Sequence, residues 1–196
     1  TPVFRVVGRG KPGPSSVYRA LSKTPAIGGC NPKELHFFSS RYSKGLDWYW
    51  SHFDQVPETA KRIGDISPSY LRPESVDRIH DTFGSDFQIV FILRRPIDQT
   101  YPRSQQHICP RERPMAYDSI LADLPNRLDR QFETIRQCYD LFGPDNILPL
   151  FFETDIQTFA FEAKLMSFLG LPASDYSKPF REGRMVNSGV MPRYLY

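Results

Sequence analysis

The stretch Val3–Leu21 constrains the fold of this chain more than any other segment. It begins with a short apolar run typical of a buried strand, continues through a loop rich in glycine and proline, and ends in residues that fit a helix with a serine N-cap. Such a loop, entering a helix N-terminus, makes an anion site because free amide N–H groups and the positive end of the helix dipole meet there. Lys11 adds a positive charge to this loop.

The loop by itself leaves an ordinary turn open as the alternative. Its lysine, Lys11, precedes Gly13, so the loop does not match the phosphate-binding pattern G-x-x-x-x-G-K-[ST]. The other segments of the chain therefore have to decide between a turn and an anion site.

Strand-like and helix-like segments alternate along the rest of the chain. This alternation predicts one α/β domain over residues 1–196, with a mostly parallel sheet, flanking helices and right-handed crossovers. The predicted strands are the first apolar run, a buried element entered at Lys33–Phe38, a short strand with its polar turn in Arg62–Tyr70, Phe87–Leu93 and Asn146–Glu153. The predicted helices are one within Arg41–Phe53 that opens at Gly45, Pro73–Phe83, Ile97–His107, Leu128–Phe142 and Phe159–Leu169, and Gly28–Pro32 is predicted as a loop.

Apolar patterns predict where several of these segments lie. Phe87–Leu93 is apolar almost throughout, as expected of a central parallel strand covered on both faces. Pro149 lies inside the last strand and predicts an edge position or a bulge. The aromatic residues of Arg41–Phe53 are predicted to pack mainly in the core. The long helix has an apolar face made of Leu128, Phe132, Ile135, Tyr139 and Phe142.

Charge and cysteine content exclude several classes of protein. The formal net charge is +3 without a lysine- or arginine-rich block, which suits a small anionic ligand and disfavours nucleic acid. Cys30, Cys109 and Cys138 have no metal-binding spacing, and we expect free thiols in a reducing compartment, the cytoplasm. No apolar run approaches the roughly 18 residues that cross a membrane, and no signal peptide is recognisable.

Three polar features follow predicted strands. They are the loop with Lys11, the turn with Ser67, and Arg94 at the end of the most apolar strand. Ligands of doubly wound sheets bind at the carboxyl ends of the strands, so we expect these features to meet in one crevice. Cations at two separate strand ends predict a ligand with two separated phosphates, which favours the anion site over the ordinary turn.

Eight short segments carry a further pattern: Gly8–Gly13, Lys33–Phe38, Lys44–Tyr49, Gly64–Tyr70, Phe91–Pro96, Asn146–Glu153, Phe168–Leu171 and Gly183–Arg184. In this order they resemble the sulfotransferases that use 3′-phosphoadenosine 5′-phosphosulfate (PAPS), nearest the heparan sulfate and bacterial carbohydrate-type branch. The resemblance implies a P-loop-like α/β fold, PAPS as the sulfuryl donor, 3′,5′-diphosphoadenosine (PAP) as its product, and no metal requirement.

The resemblance also implies which residues hold the donor. Lys11 would lie against the oxygen that bridges phosphate and sulfur, Arg94 would bind the 3′-phosphate, and Arg184 would belong to a late loop that closes over the nucleotide. The implied donor-binding set is Arg9, Gly10, Lys11, Gly13, Ser15, Ser16, Arg94, Ser104 and Arg184.

Three residues are implied to be catalytic, namely Lys11, Glu34 and His36. Glu34 matches the family's general base, since the acceptor must lose a proton as it attacks. Lys11 would stabilise charge on the bridging oxygen, and His36 would lie beside Glu34 on the same face of a strand, in contact with the acceptor. Without the resemblance, a surface salt bridge for Glu34 and a buried structural histidine are the simpler interpretations.

The implied reaction is sulfuryl transfer to a hydroxyl, or an amine, of a carbohydrate or another small-molecule acceptor. Pro14 and Pro102 stand where the family has hydroxyl side chains, and each lost hydroxyl to a phosphate costs roughly 1.5–3 kcal/mol. The alternative is therefore a catalytically weakened or inactive domain of the same fold that binds nucleotide or glycan. A nucleotide kinase is disfavoured, because Pro12 follows the loop lysine where a Ser or Thr is needed.

Two loops, Ser39–Tyr42 and Ile108–Tyr117, are predicted to set acceptor specificity. Trp48 and Tyr49 either stack on a sugar or pack in the core, and core packing is the favoured interpretation. The sequence does not predict the oligomeric state.

Overall fold

A five-stranded parallel sheet forms the centre of the protein. The computed structural model describes residues 3–8, 17, 21, 24–96, 122–156 and 160–172. In spatial order the strands are β2-β3-β1-β4-β5, and every neighbouring pair is parallel. Their bounds are β1 Val3–Gly8, β2 Ile27–Gly29, β3 Arg62–Ile66, β4 Gln88–Leu93 and β5 Ile147–Phe151. The predicted α/β class with a mostly parallel sheet is confirmed.

Four helices accompany the sheet in the part of the chain that the structure describes. They are α1 Gly45–Trp50, α2 Pro73–Phe83, α3 Leu124–Phe142 and α4 Phe161–Phe168. Single 3₁₀ turns lie at Tyr42–Lys44, Ser51–Phe53, Pro68–Tyr70 and Pro144–Asn146, and π-helical turns at Phe37–Arg41 and Phe152–Ile156. The helix predicted at Pro73–Phe83 has the predicted bounds, whereas the helix predicted at Ile97–His107 falls outside the described residues.

Strand β4 shows that both faces of the sheet are covered. Ile89 and Phe91 belong to one buried cluster, which also holds Phe37, Phe38 and Tyr49. Val90 and Ile92 belong to another, which holds Val17, Leu21 and residues of α4. Because alternate side chains of a strand point to opposite faces, β4 is buried from both sides, as its apolar run predicted. It is an interior strand, although β1 occupies the middle of the sheet.

Strand β5 lies at one edge of the described sheet, as the proline within it predicted. Pro149 is in register with Phe91 of β4 on its paired side. A proline has no amide N–H to donate, so it is tolerated where the strand has a partner on one side only.

The second predicted strand was placed wrongly. The strand is β2, Ile27–Gly29, in a segment that sequence reasoning had assigned to a loop because of its glycines. Gly28 is needed there for packing, since a Cβ atom at this position would come within 2.3 Å of Val56 Cγ1. Lys33–Phe38 is instead an irregular segment that leads into a π-helical turn.

The face of α3 matches the prediction only in part, since Phe142 is buried and Ile135 packs against the same cluster. Thr134, Cys138 and Phe142, each four residues apart, are buried and turn their side of the helix inward. Phe132, from the predicted apolar face, is 72% exposed as a consequence, and Leu128 and Tyr139 are each 37% exposed. The prediction treated every large apolar residue as inward and missed that a small polar residue and a cysteine form the packed side.

Two further findings bear on the sequence predictions. Cys30 and Cys138 are buried free thiols, as predicted, while Cys109 lies outside the described residues. Among the helices of the described ranges, none is both long and apolar enough to span a bilayer.

Candidate active site

The middle strand of the sheet ends between two strands that carry polar features. In the register, Val6 of β1 lies opposite Ile66 of β3, and Gly8 of β1 lies opposite Ile92 of β4. The chain therefore leaves β1 with the Ser67 turn on one side and Arg94 on the other. The connection that leaves β1 runs towards β2 and β3, whereas the connection that leaves β4 runs to β5 on the other side, so a topological switch point lies between the carboxyl ends of β1 and β4, where doubly wound folds form their ligand crevice.

Arg94 follows β4 directly and is held against an aromatic ring of the neighbouring strand's continuation. Its guanidinium carbon lies 4.5 Å from the centre of the Phe152 ring. At Arg95, the amide N–H donates to Glu153 Oε1 at 3.0 Å, and Nε lies 3.7 Å from the same oxygen. These contacts fix the direction in which the chain leaves β4 and keep a cation at its carboxyl end.

Glu34 and His36 both have left-handed backbone conformations. Their φ angles are 64° and 53°, although neither residue is a glycine. A side chain with a Cβ atom occupies this region only when its surroundings impose it, and such residues concentrate at functional sites. Leu35 between them is fully buried, so it anchors the turn while its two neighbours stay partly exposed.

The side chains of Glu34 and His36 face each other across a short gap. His36 Nε2 lies 3.7 Å from Glu34 Oε2, and Lys33 Nζ lies 3.4 Å from Glu34 Oε1. About a third of each of the two facing side chains is exposed. The expected pairing is thus present, but the expected strand geometry is wrong, because the left-handed turns, and not the alternation of a strand, bring the two groups together.

Two serine hydroxyls hold the His36 ring from the other side. Nδ1 lies 2.7 Å from Ser69 Oγ, which lies 2.7 Å from Ser39 Oγ. Ser39 Oγ in turn donates to the backbone carbonyl of His36 at 3.1 Å. This ring of contacts leaves Nε2 directed toward Glu34 and restricts rotation of the imidazole.

A buried carboxylate, Asp65, supports the same turn from beneath. Its two oxygens accept hydrogen bonds of 2.7 Å from the hydroxyls of Ser67 and Tyr70, and Cys30 Sγ lies 3.9 Å away. Sequence reasoning missed Asp65, although a lone carboxylate inside an apolar strand is a readable sign of a buried polar network.

Basic side chains brace the segment that follows the turn. Arg41 Nη1 donates to the carbonyl of Leu35 at 3.2 Å, and Arg78 Nη1 donates to the carbonyls of Phe38 at 2.9 Å and Ser39 at 3.2 Å. Each of these bonds ties a side chain to a backbone carbonyl, so the Ser39–Tyr42 segment is held at several points.

Trp48 and Tyr49 pack against neighbours of the same cluster. Tyr49 is fully buried, which confirms core packing for this residue. The Trp48 ring lies 6.1 Å from the Phe37 ring and 4.2 Å from the His52 ring, with Lys44 Nζ at 4.8 Å. Trp48 is thus surrounded by side chains of the protein itself.

Solved structures share the fold of this chain. A sulfotransferase from Alicyclobacillus acidocaldarius aligns with a TM-score of 0.76 at 23% identity, over 94% of this chain and 87% of that one. This is the sulfotransferase fold. The mouse sulfotransferase SULT7A1, solved in complex with PAP, aligns with a TM-score of 0.61 at 15% identity, over 87% of this chain and 60% of the mouse protein.

Sequence comparison points to sulfotransferases as well. The membrane-associated sulfotransferase kil1 of Dictyostelium discoideum is 33% identical over 109 residues, which are 54% of this chain and 22% of kil1. The human bifunctional heparan sulfate N-deacetylase/N-sulfotransferase 2 is 32% identical over 108 residues, 51% of this chain and 12% of the human enzyme. This chain thus spans under a quarter of each relative. No protein-family model matches it.

The resemblance to sulfotransferases of the heparan sulfate type is therefore confirmed, and so is the P-loop-like fold that it implied. Of the implied site residues, the structure describes Glu34, His36 and Arg94. The other implied site residues lie outside the described residues, namely Arg9, Gly10, Lys11, Gly13, Ser15, Ser16, Ser104 and Arg184. The loop Ile108–Tyr117 and the two prolines, Pro14 and Pro102, lie outside them as well. Within the described ranges, no group of three or more His, Cys, Asp or Glu side chains could hold a metal ion.

Proposed function

We propose that this chain transfers a sulfuryl group from PAPS to a hydroxyl, or an amine, of a carbohydrate or another small-molecule acceptor. The observation that carries the proposal is the Glu34–His36 pair, which is held in a left-handed turn and lies 3.7 Å apart on a sulfotransferase fold. A carboxylate beside an imidazole, both partly exposed, is suited to accept a proton from an attacking group.

Cations near the carboxyl ends of β1 and β4 support a donor with two phosphates. Arg94 supplies a cation at the carboxyl end of β4, and a guanidinium is well suited to bind a phosphate through paired N–H donors. The loop after β1 contains Lys11 and Gly13 and leads to the helical positions Val17 and Leu21. We assign the 3′-phosphate to Arg94 and the 5′-phosphosulfate to the loop. When bound, PAPS would supply the sulfuryl group and leave as PAP.

Glu34 is the general base of this proposal. Its carboxylate takes the proton of the acceptor hydroxyl as the acceptor oxygen forms its bond to sulfur. Lys11 would offer its positive charge to the bridging oxygen that takes the electron pair of the broken S–O bond. His36 Nε2 lies 3.7 Å from one oxygen of this carboxylate, and Lys33 Nζ lies 3.4 Å from the other and keeps it near a cation. None of these steps needs a metal, since cations of the protein carry the electrostatic stabilisation.

The remaining implied residues complete the proposal. Arg9, Gly10, Ser15, Ser16, Ser104 and Arg184 are proposed to contact the donor, and residues 1–196 are proposed to form one domain. A carbohydrate acceptor is supported by the relative that acts, by its name, on heparan sulfate. The inactive binding domain is not favoured, because the relatives are named as transferases.

Glu34→Gln tests the assignment of the base. Removing the carboxylate keeps the shape of the side chain but abolishes its basicity, so we expect kcat to fall by roughly 10²–10⁴-fold. Transfer of radioactive sulfur from labelled PAPS to a panel of mono- and oligosaccharide acceptors measures this. Glu58→Gln, at an exposed position, is the matched control and should keep wild-type activity. A Glu34→Gln enzyme as active as the wild type would exclude Glu34 as the base.

A further inference from the structure

A carboxylate of the sheet, Asp65, is connected to the proposed catalytic turn through two hydroxyl groups. We propose that Asp65, acting through the hydroxyls of Ser67 and Tyr70, is a positioning residue that holds the backbone left-handed at His36 and thereby fixes the turn that carries Glu34. The consequence for catalysis rests on the proposed function, in which Glu34 is the base. The consequence for the backbone conformation is independent of the proposed function.

Asp65 itself has a fixed position. It is completely buried, lies within β3 and is in register with Arg5 of β1. Because its backbone belongs to the centre of the sheet, the carboxylate is as rigid as the sheet. The strand that leads to the donor loop and the strand that carries Asp65 are direct neighbours, so one rigid frame supports both halves of the site.

Each of the two hydroxyls links one backbone amide to one carboxylate oxygen. The amide of His36 donates to Ser67 Oγ at 3.1 Å, and Ser67 Oγ donates to Asp65 Oδ1 at 2.7 Å. The amide of Phe37 donates to Tyr70 OH at 2.8 Å, and Tyr70 OH donates to Asp65 Oδ2 at 2.7 Å. An amide can only donate and a carboxylate can only accept, so the direction of all four bonds is determined.

The two amides that are held belong to the strained turn. His36 is itself left-handed, and Phe37 follows it. A left-handed conformation is sterically unfavourable for a residue with a Cβ atom, so without these bonds the turn should relax. Relaxation would move Glu34 and His36 relative to the crevice, and a displacement of about 1 Å can lower a rate by about a hundredfold.

Hydrogen exchange of individual amides, measured by NMR, tests whether Asp65, Ser67 and Tyr70 hold the two amides. This test does not require enzymatic turnover. We expect the amide of Phe37 to exchange about tenfold faster in Tyr70→Phe, and that of His36 about tenfold faster in Ser67→Ala, which is the effect of losing one hydrogen bond. Asp65→Asn should accelerate both. Amides of β4 should be unchanged. Tyr139→Phe, which removes a hydroxyl from a residue 37% exposed on α3, is the control and should change neither amide.

Steady-state kinetics then test positioning. In Tyr70→Phe and Ser67→Ala we expect kcat to fall by about 10–100-fold, while the KM for PAPS and the affinity for PAP stay at wild-type values. A merely structural role would instead lower the melting temperature and donor affinity together with kcat.

The proposal is overturned if the two amides exchange at wild-type rates, or if they exchange faster while kcat is unchanged. It is also overturned if kcat and PAP affinity fall in parallel. If Asp65→Asn does not fold, the two hydroxyl variants decide, because each leaves the carboxylate with one donor. A wild-type protein without turnover would count against the proposed function. The exchange rates would still show whether Asp65, Ser67 and Tyr70 hold the amides of His36 and Phe37.

Discussion

At the scale of single residues, the unusual feature is the pair of left-handed conformations at Glu34 and His36. Each costs about 1–2 kcal/mol relative to a right-handed residue. Hydrogen bonds offset this cost: the hydroxyls of Ser67 and Tyr70 accept from the amides of His36 and Phe37, and Arg41 donates to the carbonyl of Leu35. The turn is therefore maintained by its surroundings. It brings the partly exposed side chains of Glu34 and His36 close together.

Replacing Glu34 by glycine or alanine separates backbone strain from side-chain chemistry. Both changes remove the carboxylate, but only glycine adopts φ 64° without a steric penalty. We expect Glu34→Gly to be about 1 kcal/mol more stable than Glu34→Ala, with both variants inactive. Urea denaturation of the two proteins gives this difference in the free energy of unfolding. Equal stability, or a more stable alanine variant, would show that the folded protein in solution does not hold Glu34 left-handed.

Sequence reasoning could identify Glu34 and His36 as neighbours, but not the conformation that makes them neighbours. The residues that impose it, Ser67 and Tyr70, lie more than 30 positions away in the chain. A hydrogen bond over that separation exists only once the sheet has formed. Asp65 could be noticed as a carboxylate within a strand, but its link to the turn could not, because the amides that Ser67 and Tyr70 hold belong to that distant segment.

At the scale of elements, periodicity was a good guide to the existence of α3 and a poor guide to its orientation. The predicted helix Leu128–Phe142 lies within the observed Leu124–Phe142. Its inward side carries Thr134 and Cys138, which are both buried although neither is a large apolar residue. Periodicity counts large apolar residues and contains no information on the shape of the surface opposite.

Cys138 gives this packed side of α3 a measurable pH dependence. Burial raises the pKa of its thiol from 9.0 to about 12, because the thiolate would be poorly solvated there. The unfolded chain loses this proton first as pH rises, so the contribution of the thiol to stability is complete below pH 9 and lost between about 9 and 12. The difference in free energy of unfolding between wild type and Cys138→Ala should therefore shrink over that interval, by about 1.4 kcal/mol per pH unit.

Denaturant titrations of both proteins at several alkaline pH values test this prediction. Comparing the two proteins removes the contributions of lysines and tyrosines that titrate over the same range. A difference that is independent of pH would mean that Cys138 is accessible to solvent and that the orientation of α3 is wrong.

At the scale of the whole molecule, the alternation of strands and helices was enough to predict a parallel α/β fold. It could not supply the strand order, in which β1 lies between β3 and β4. That order matters most for function, because it places the switch point between the carboxyl ends of β1 and β4. Strand β2 could not be predicted, because glycine is typical of loops. Here Gly28 is required by its close contact with Val56, which no local pattern reveals.

The proposed function requires that the crevice at the end of β1 binds the donor nucleotide. Calorimetric titration of PAP into the wild-type protein, without metal, measures this directly. Arg94→Ala removes the proposed 3′-phosphate ligand, and Arg136→Ala, a change at a position 77% exposed on α3, is the matched control. We predict micromolar binding to the wild type and the control, and binding weaker by roughly 10–100-fold in Arg94→Ala. A folded wild-type protein that binds no PAP, or an Arg94→Ala variant that binds it equally well, would contradict the account.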